Sequence, residues 1–421
     1  MDKKQETKTP KSKFGLGFVC GIVLSVFVVL AGFGVQYLYD SVLSHVYKGA
    51  PAYQNDDNTY ESAINERSLS KLEEMEKIIG ENFYQADQID GEEMEEGLYR
   101  GLLEALGDPY AAYYTVEELE AVLADSEGIF YGIGAMISYD ERRQLAVISG
   151  IMPGGAAAAS ELREGDFIVA VDDVDTTRLS SGEVVLLIRG KEHTPVSITV
   201  YREGVLDHIT MEMIRQKVEK NTVSHRLMDD PNIGYIQISE FDNITVGQFE
   251  DALSELKGQG IRGLVLDLRS NPGGNLTAVN AIARQLLPKG LIVYTEDGHG
   301  NREEYNCDGK NELKIPLVVL VNAYSASASE ILAGALQDYQ MGPIIGQATF
   351  GKAVVQRLFN MADETAVKMT ISSYFTPLGR SLADTGIIPD IEIELDREAY
   401  YEEDYDNQLE AALTALRDEI Y

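Results

Sequence analysis

The alternation of apolar and polar positions divides the chain into segments of different period. Residues 14–39, FGLGFVCGIVLSVFVVLAGFGVQYLY, carry no charged side chain and exceed the roughly 20 apolar residues a helix needs to cross a hydrocarbon core. Residues 40–65 are polar, with Asn-Asp runs, and read as a linker. From 66 to 125 apolar residues return at helical spacing: Leu72, Met75, Ile78 and Ile79, then Met94, Leu98, Leu102 and Leu106. Gly107 and Pro109 stop the second of these helices, and Thr115 with Glu118 forms a capping box for a third over 116–123. Between 126 and 215 the period shortens. Runs at 147–149, 167–171 and 196–200 predict strands, punctuated by Pro153-Gly154-Gly155, Gly165-Asp166 and Gly204, with one short helix over 181–188.

From 216 to 398 the pattern is α/β. A strand is expected at 233–238, and Val246, Phe249, Leu253 and Leu256 mark a helix face. The runs at 263–268 and 317–321 are apolar almost throughout, as strands buried on both faces are. Residues 269–275 form a tight turn into a helix over 276–287. Residues 399–421 start acidic and end helical over 409–416. The expected fold class is a multi-domain α/β protein. It has a tail at 1–13, a transmembrane anchor at 14–39, a linker at 40–65 and a helical region at 66–125. An inserted β-domain at 126–215, an α/β core at 216–398 and a C-terminal acidic and helical segment at 399–421 complete it.

Charge orients this arrangement. Lys3, Lys4, Lys8, Lys11 and Lys13 precede the apolar run and the chain beyond it is acidic. The positive-inside rule then places 1–13 in the cytoplasm and the bulk outside. Ala31-Gly32 is small enough for signal cleavage, but the run is long for a signal peptide, which favours an uncleaved anchor. The net charge of −34 argues against nucleic acid, which needs clustered Lys and Arg. Cys20 and Cys307 fit no metal spacing, and the five histidines form no HExxH or HxH pattern. No metal and no cofactor are expected. The helices of 66–125 offer faces for packing or for a homodimer, and no chemistry is legible there.

Chemistry concentrates in residues 325–356. The apolar run at 317–321 feeds a serine-rich turn that opens a helix, and Lys352 comes later between apolar segments. A serine at a helix N-terminus and a distant lysine suggest a Ser-Lys hydrolase. A lysine can act as base when burial lowers its pKa from about 10.4, and Phe350, Val354 and Val355 are expected to supply that burial. Ser325, Ser327 and Ser329 compete for the nucleophile. Ser327 with Glu330 also reads as a capping box, and spacing does not separate the three. The turns at Gly273-Gly274 and at Ser327 could each offer one N–H to an oxyanion. The segment 346–353 is one residue from a phosphate-binding GxxxxGK[ST] loop. Ala353 lacks the hydroxyl that holds magnesium, however, and residues 354–359 look like a strand, whereas a phosphate-binding loop opens a helix. There is no GxSxG elbow and no histidine near the turn in sequence, which leaves a triad through His225 or His299 as the rival to the lysine.

Two resemblances add to this. Residues 126–215 resemble a PDZ domain in Tyr131-Gly132-Ile133-Gly134, Met152-Pro153-Gly154-Gly155 and Leu162-Arg163-Glu164-Gly165-Asp166. That resemblance implies a carboxylate-binding loop at Tyr131, Gly132, Ile133 and Gly134 and protein or peptide C-termini as partners. The longer stretch 69–393 resembles the carboxy-terminal processing peptidases. Its motifs are Leu106-Gly107-Asp108-Pro109-Tyr110, Asp267-Leu268-Arg269-Ser270-Asn271-Pro272-Gly273-Gly274, Ser325-Ala326-Ser327-Ala328-Ser329-Glu330 and Thr349-Phe350-Gly351-Lys352. The family resemblance implies a ClpP/crotonase-like core, Ser327 as nucleophile, Lys352 as general base and Gln356 as the residue that orients the lysine. It also implies Ala328 and Gly273 or Gly274 as oxyanion donors, and makes Arg189 a candidate for coupling the PDZ domain to the peptidase. Ala353 stands where the family usually has glycine.

Overall fold

The computed structural model describes residues 62–152 and 154–421; the apolar run at 14–39, and Cys20 within it, lie outside them. Among the described residues no helix is long and apolar enough to cross a membrane. The described residues fall into two units, 62–89 in the first and Asp90–Tyr421 in the second. In the first, helix α1 (Glu66–Asn82) starts at Asn65, whose side chain accepts from the Arg67 and Ser68 N–H groups. It buries none of its residues, and Leu69, Leu72, Met75 and Ile78 are exposed.

The second unit begins with α2 (Gly91–Glu104), which Gly107 ends at φ 67°. Strand β1 (Ala112–Tyr114) comes next. Then α3 (Val116–Glu127) starts in the expected Thr115/Glu118 capping box and runs past 123 to a left-handed Gly128. Arg100 ties α2 to α3 through Glu118 at 3.0 Å.

A two-strand ribbon, β2 (Ile129–Gly132) with β9 (Gln216–Glu219), frames the inserted domain. Within the insert lie β3 (Ala135–Asp140), β4 (Leu145–Ile151), β5 (Phe167–Val171), β6 (Val174–Asp175), helix α4 (Ser181–Ile188), β7 (Pro195–Tyr201) and β8 (Ile209–Ile214). The strand order is β3-β4-β5-β7-β8, so one edge of β3 is unpaired. Alternate residues of these strands (Ala146 and Ile148; Val196, Ile198 and Val200) meet Val184 and Ile188 of α4 in a core of their own.

The α/β core is built on a sheet ordered β10-β11-β12-β15-β16-β19. Its strands are β10 (Val223–Leu227), β11 (Ile233–Ile238), β12 (Gly263–Asp267), β15 (Leu317–Val321), β16 (Ile344–Gly346) and β19 (Ile391–Glu392). All but the β10–β11 pair are parallel, and every residue of β12 and β15 is buried. One face carries α5 (Thr245–Gly258), α6 (Leu276–Ala283) and α7 (Ala328–Asp338) in the main core. Helix α6 is shorter than its apolar pattern predicts. Helix α9 (Asn407–Ile420) covers the other face through Ala412, Leu413, Leu416 and Ile420, preceded by the short α8 (Arg397–Glu402). A second sheet joins β1, β18 (Ala366–Phe375), β13 (Gly290–Asp297) and β14 (Arg302–Cys307), with β17 (Val354–Asn360) on β18. Cys307 closes β14 as a buried thiol, donating to the Leu287 carbonyl at 3.3 Å, instead of sitting in a polar loop.

Candidate active site

The three serines that sequence spacing leaves equivalent are different in the fold. Ser325 is buried, donates its hydroxyl to the Leu268 carbonyl at 2.8 Å and accepts from the Asn322 N–H at 3.0 Å. Ser329 is buried and donates to the Asn271 carbonyl at 3.0 Å. Both hydroxyls hold the β12 and β15 loops together. Ser327 is partly exposed and sits at φ 54°, ψ −113°, far from the extended backbone of an ordinary N-cap. A non-glycine residue held there costs on the order of 1–3 kcal/mol, and such strain concentrates at functional sites.

The strain is held in place by Glu330, fully buried at the start of α7. One carboxylate oxygen, Oε2, accepts from the Ser327 N–H at 2.9 Å, the Lys352 N–H at 3.1 Å and the Tyr374 hydroxyl at 3.0 Å. The other accepts from the Gly351 N–H at 2.6 Å and the Thr349 hydroxyl at 2.7 Å. A single side chain therefore fixes both the serine turn and the lysine loop. The Gly351 and Lys352 amides are committed to this carboxylate and the chain continues as β17, which removes the phosphate-loop reading. Ala353, beside the lysine, adopts φ 50° with its methyl buried, a backbone that suits glycine better.

Across from Ser327 lies the Gly273-Gly274 turn. A side chain at Gly273 would meet the Ser327 Cβ at 2.7 Å and the Ala328 nitrogen at 3.0 Å, so only glycine permits this approach. The Gly273 N–H is donated to the Asn271 side chain at 2.8 Å. The N–H groups of Gly274 and Ala328 make no hydrogen bond among the described residues. Of the glycine pair, Gly274 alone keeps a free donor. Asn271, buried, anchors the turn by giving its amide to the Ile238 carbonyl at 2.9 Å and accepting the Ala326 N–H at 3.0 Å.

Lys352 is half-buried and its ammonium makes no hydrogen bond or ion pair among the described residues. It rests instead 4.4 Å from the ring centre of Tyr110. Burial and the nearby Lys368 hold its pKa below the ordinary lysine value, against the opposing pull of Glu330 and Asp108. The expected apolar wall is only partly right, because Phe350 is 60 % exposed. Gln356 lies on β17, where its amide nitrogen donates to the Thr370 hydroxyl at 3.1 Å; no bond joins it to Lys352 among the described residues. Thr370 in turn meets Asp108. The segment 66–125, in which no chemistry is legible from sequence, thus sends Asp108 and Tyr110 to the site. Thr370 and Tyr374 are equally silent in the sequence, while Asn271 and Glu330 stand in the family motifs without a role. Only the S-x-x-E spacing hints at Glu330, and it points to a cap.

In the inserted domain the Ile133 and Gly134 N–H groups, just before β3, make no hydrogen bond among the described residues, and β3 has one unpaired edge. The Tyr131 and Gly132 part of the loop belongs to β2, paired with β9. Arg189 ends α4 and places its guanidinium 5.2 Å from the Phe130 ring centre. Among the described residues its guanidinium makes no hydrogen bond or ion pair with the α/β core.

A parallel sheet flanked by helices, a reachable serine at a strained helix entry and an inserted PDZ-like module define a PDZ-bearing serine peptidase. Comparison with known proteins agrees: residues 232–393 match peptidase family S41, residues 122–201 match the PDZ domain, and residues 29–118 match the N-terminal domain of the activating protease CtpB. The carboxyl-terminal-processing protease of Synechocystis sp. is 36% identical over 296 residues, 70% of this chain and 69% of that one. The carboxy-terminal processing protease CtpA of Bacillus subtilis is 31% identical over 335 residues, 79% of this chain and 71% of that one. A putative S41 protease from Bacteroides fragilis shares the fold at TM-score 0.50 and 16% identity, over 86% of this chain and 98% of that one. The chain belongs to peptidase family S41, among the carboxyl-terminal processing peptidases.

Proposed function

We propose that this serine peptidase is a membrane-anchored, extracytoplasmic endopeptidase that cleaves proteins near their C-termini through a Ser327–Lys352 dyad assisted by Gln356. The observation that carries the reading is the Glu330 carboxylate, which binds the backbone N–H of both Ser327 and Lys352. Neutral Lys352 takes the Ser327 proton as the hydroxyl oxygen attacks the scissile carbonyl. The developing oxyanion is received by the free N–H groups of Ala328 and Gly274, each such donor contributing about 3 kcal/mol. The amine leaves with a proton, and water then hydrolyses the acyl-enzyme. A substrate tail adds to the open edge of β3 with its carboxylate on the Ile133 and Gly134 amides, and residues 14–39 hold the enzyme to the membrane with 1–13 inside. The exposed stripe of α1 supports self-association, which light scattering of the full chain would test.

A fluorophosphonate probe is expected to label Ser327, and labelling should vanish in Ser327→Ala and in Lys352→Ala while persisting in Ser325→Ala. A label on Ser325 or Ser329 would overturn the assignment. Loss of cleavage of a peptide whose C-terminus is amidated, with an unchanged rate on internal sites of an unfolded protein, is expected if the PDZ loop captures the carboxylate.

A further inference from the structure

The turn at 107–110 belongs to a region with no evident catalytic content, yet it reaches both the lysine and the glutamine of the site. Gly107 ends α2, and the Asp108 carboxylate accepts the Tyr110 N–H at 3.0 Å, closing a tight Asx turn. Strand β1 begins at once and pairs with β18, Ala112 opposite Lys368, so the turn is clamped beside Thr370. There Asp108 accepts the Thr370 N–H at 2.8 Å and the Thr370 hydroxyl at 3.1 Å. Those bonds from Thr370 and Tyr110 hold the Asp108 carboxyl below the usual range, although partial burial pushes it up.

An ionised carboxylate only accepts. The Thr370 hydroxyl must therefore give its single proton to Asp108, and toward Gln356 it can only accept. A residue skipped at Ile371 in the β17–β18 register sets Gln356 directly opposite Thr370, so that the two side chains meet. The Gln356 amide nitrogen donates into that hydroxyl at 3.1 Å. Its amide oxygen has no partner among the described residues and is left as the end available to a donor. Two residues further along the turn, Tyr110 puts its ring face 4.4 Å from the Lys352 ammonium.

We infer that the 107–110 turn is a positioning element for the general base: Asp108, acting through Thr370, fixes which end of the Gln356 amide is offered to Lys352, and the Tyr110 ring seats the Lys352 ammonium. The inference rests on the Ser327–Lys352 reading above. While it carries its proton, the lysine lies on the aromatic face, and such a contact favours the charged form by a few tenths to about one and a half pKa units. On losing its proton it loses that attraction, and the Gln356 oxygen remains as the acceptor that directs its N–H.

The test uses the full chain and a fluorogenic peptide with an apolar C-terminus. Thr370→Val keeps the β-branched shape and removes only the hydroxyl. It and Gln356→Ala are each expected to lower kcat about tenfold, and the double variant to fall no more than about twofold below the worse single one, since members of one network do not add. Thr370→Ser should restore most of the rate. In Tyr110→Leu, which keeps the apolar cover and removes the π-face, the rising limb of the pH–rate profile should move about half to one unit down, and Tyr110→Phe should restore it. Additive losses in the Thr370/Gln356 pair, or an unmoved limb in Tyr110→Leu, overturn the inference; if that variant does not fold, the Thr370/Gln356 cycle decides alone. An active Lys352→Ala would instead overturn the dyad itself. An inactive Lys352→Ala beside additive Thr370 and Gln356 effects overturns only the role of the turn.

Discussion

At the scale of single residues, the site is organised by a side chain that performs no chemistry. Glu330 is buried with five donors on two oxygens. Glu330→Gln keeps the shape but turns one end into a donor that faces donors. At least two buried N–H or O–H groups are then left unmatched, at about 1–3 kcal/mol each. The variant is expected to lose about 2–5 kcal/mol in denaturant unfolding and most of its fluorophosphonate reactivity. Full reactivity at wild-type stability would show that Ser327 and Lys352 hold their places without it. Lys352 has its own signature. Its folded pKa is depressed, chiefly by burial, so the neutral base accumulates as pH rises through a value below 10.5. The activity limb should rise there and level off; a rate still climbing at about pH 10 would mean an ordinary, solvated lysine. Sequence reasoning singles out Ser327 and Lys352 because residue type and the family motifs name them. The motifs include Asp108 but give it no role, and they do not include Thr370 or Tyr374, because these roles come from hydrogen bonds between segments far apart in the chain, which leave no period and no spacing.

Secondary-structure elements are more legible, since each is stamped by its own periodicity. The buried strands β12 and β15 and the helix α4 appear where their apolar runs place them. Helix α6 stops early because Arg284 to Leu287 continue the apolar pattern in a turn packed into the main core. What the pattern does not disclose is the joint at which the insert leaves the core. At the base of the β2–β9 ribbon, Lys220 meets Asp125 at 2.8 Å, Glu240 at 3.1 Å and Asp242 at 3.3 Å. Burial, with Glu240 and Asp125, pushes the Asp242 carboxyl up to about 6 against the pull of Lys220. Its folded pKa lies above its unfolded one, so the stability it lends is full below about pH 4 and is lost as pH rises through 6, by at most about 3 kcal/mol. Asp242→Asn should remove that slope. The melting temperature of wild type minus that of the variant is expected to fall between about pH 4 and pH 7. A difference that stays flat would mean that Asp242 ionises as freely in the fold as outside it.

For the whole second unit, the separation of the hydrophobic cores decides which parts are dispensable. The PDZ core, built on Ile148, Ile168, Val184, Ile198 and their neighbours, shares no residue with the two cores of the α/β sheet. The chain enters it at Gly132 and leaves it at Gln216, and those residues pair in the ribbon. Replacing 133–215 by a short β-turn should therefore leave a peptidase core that unfolds cooperatively near its original temperature, with Ser327 still reactive. The C-terminal segment, acidic on paper and easily taken for a surface appendage, is the opposite case. Helix α9 covers Ile233, Tyr235, Val265, Val318, Leu320 and Ile345. Burying Leu413, Leu416 and Ile420 is worth about 5–8 kcal/mol, comparable to the roughly 5–15 kcal/mol by which a folded domain is stable at all. The N-cap of α9, Asp406, also meets the partly buried Arg269 at 2.8 Å, whose other ionic partner is Asp267 at the end of β12. Truncation after residue 395 would expose that sheet face and leave Arg269 short of a counter-charge, on the segment that leads to the Gly273-Gly274 turn. The truncated chain is expected to be insoluble or unreactive toward fluorophosphonate, while the chain lacking the PDZ domain stays soluble and reactive. If the two deletions gave the reverse pattern, the peptidase core would depend on the PDZ domain for its fold, and the ribbon would be an integral part of the catalytic scaffold and not a tether.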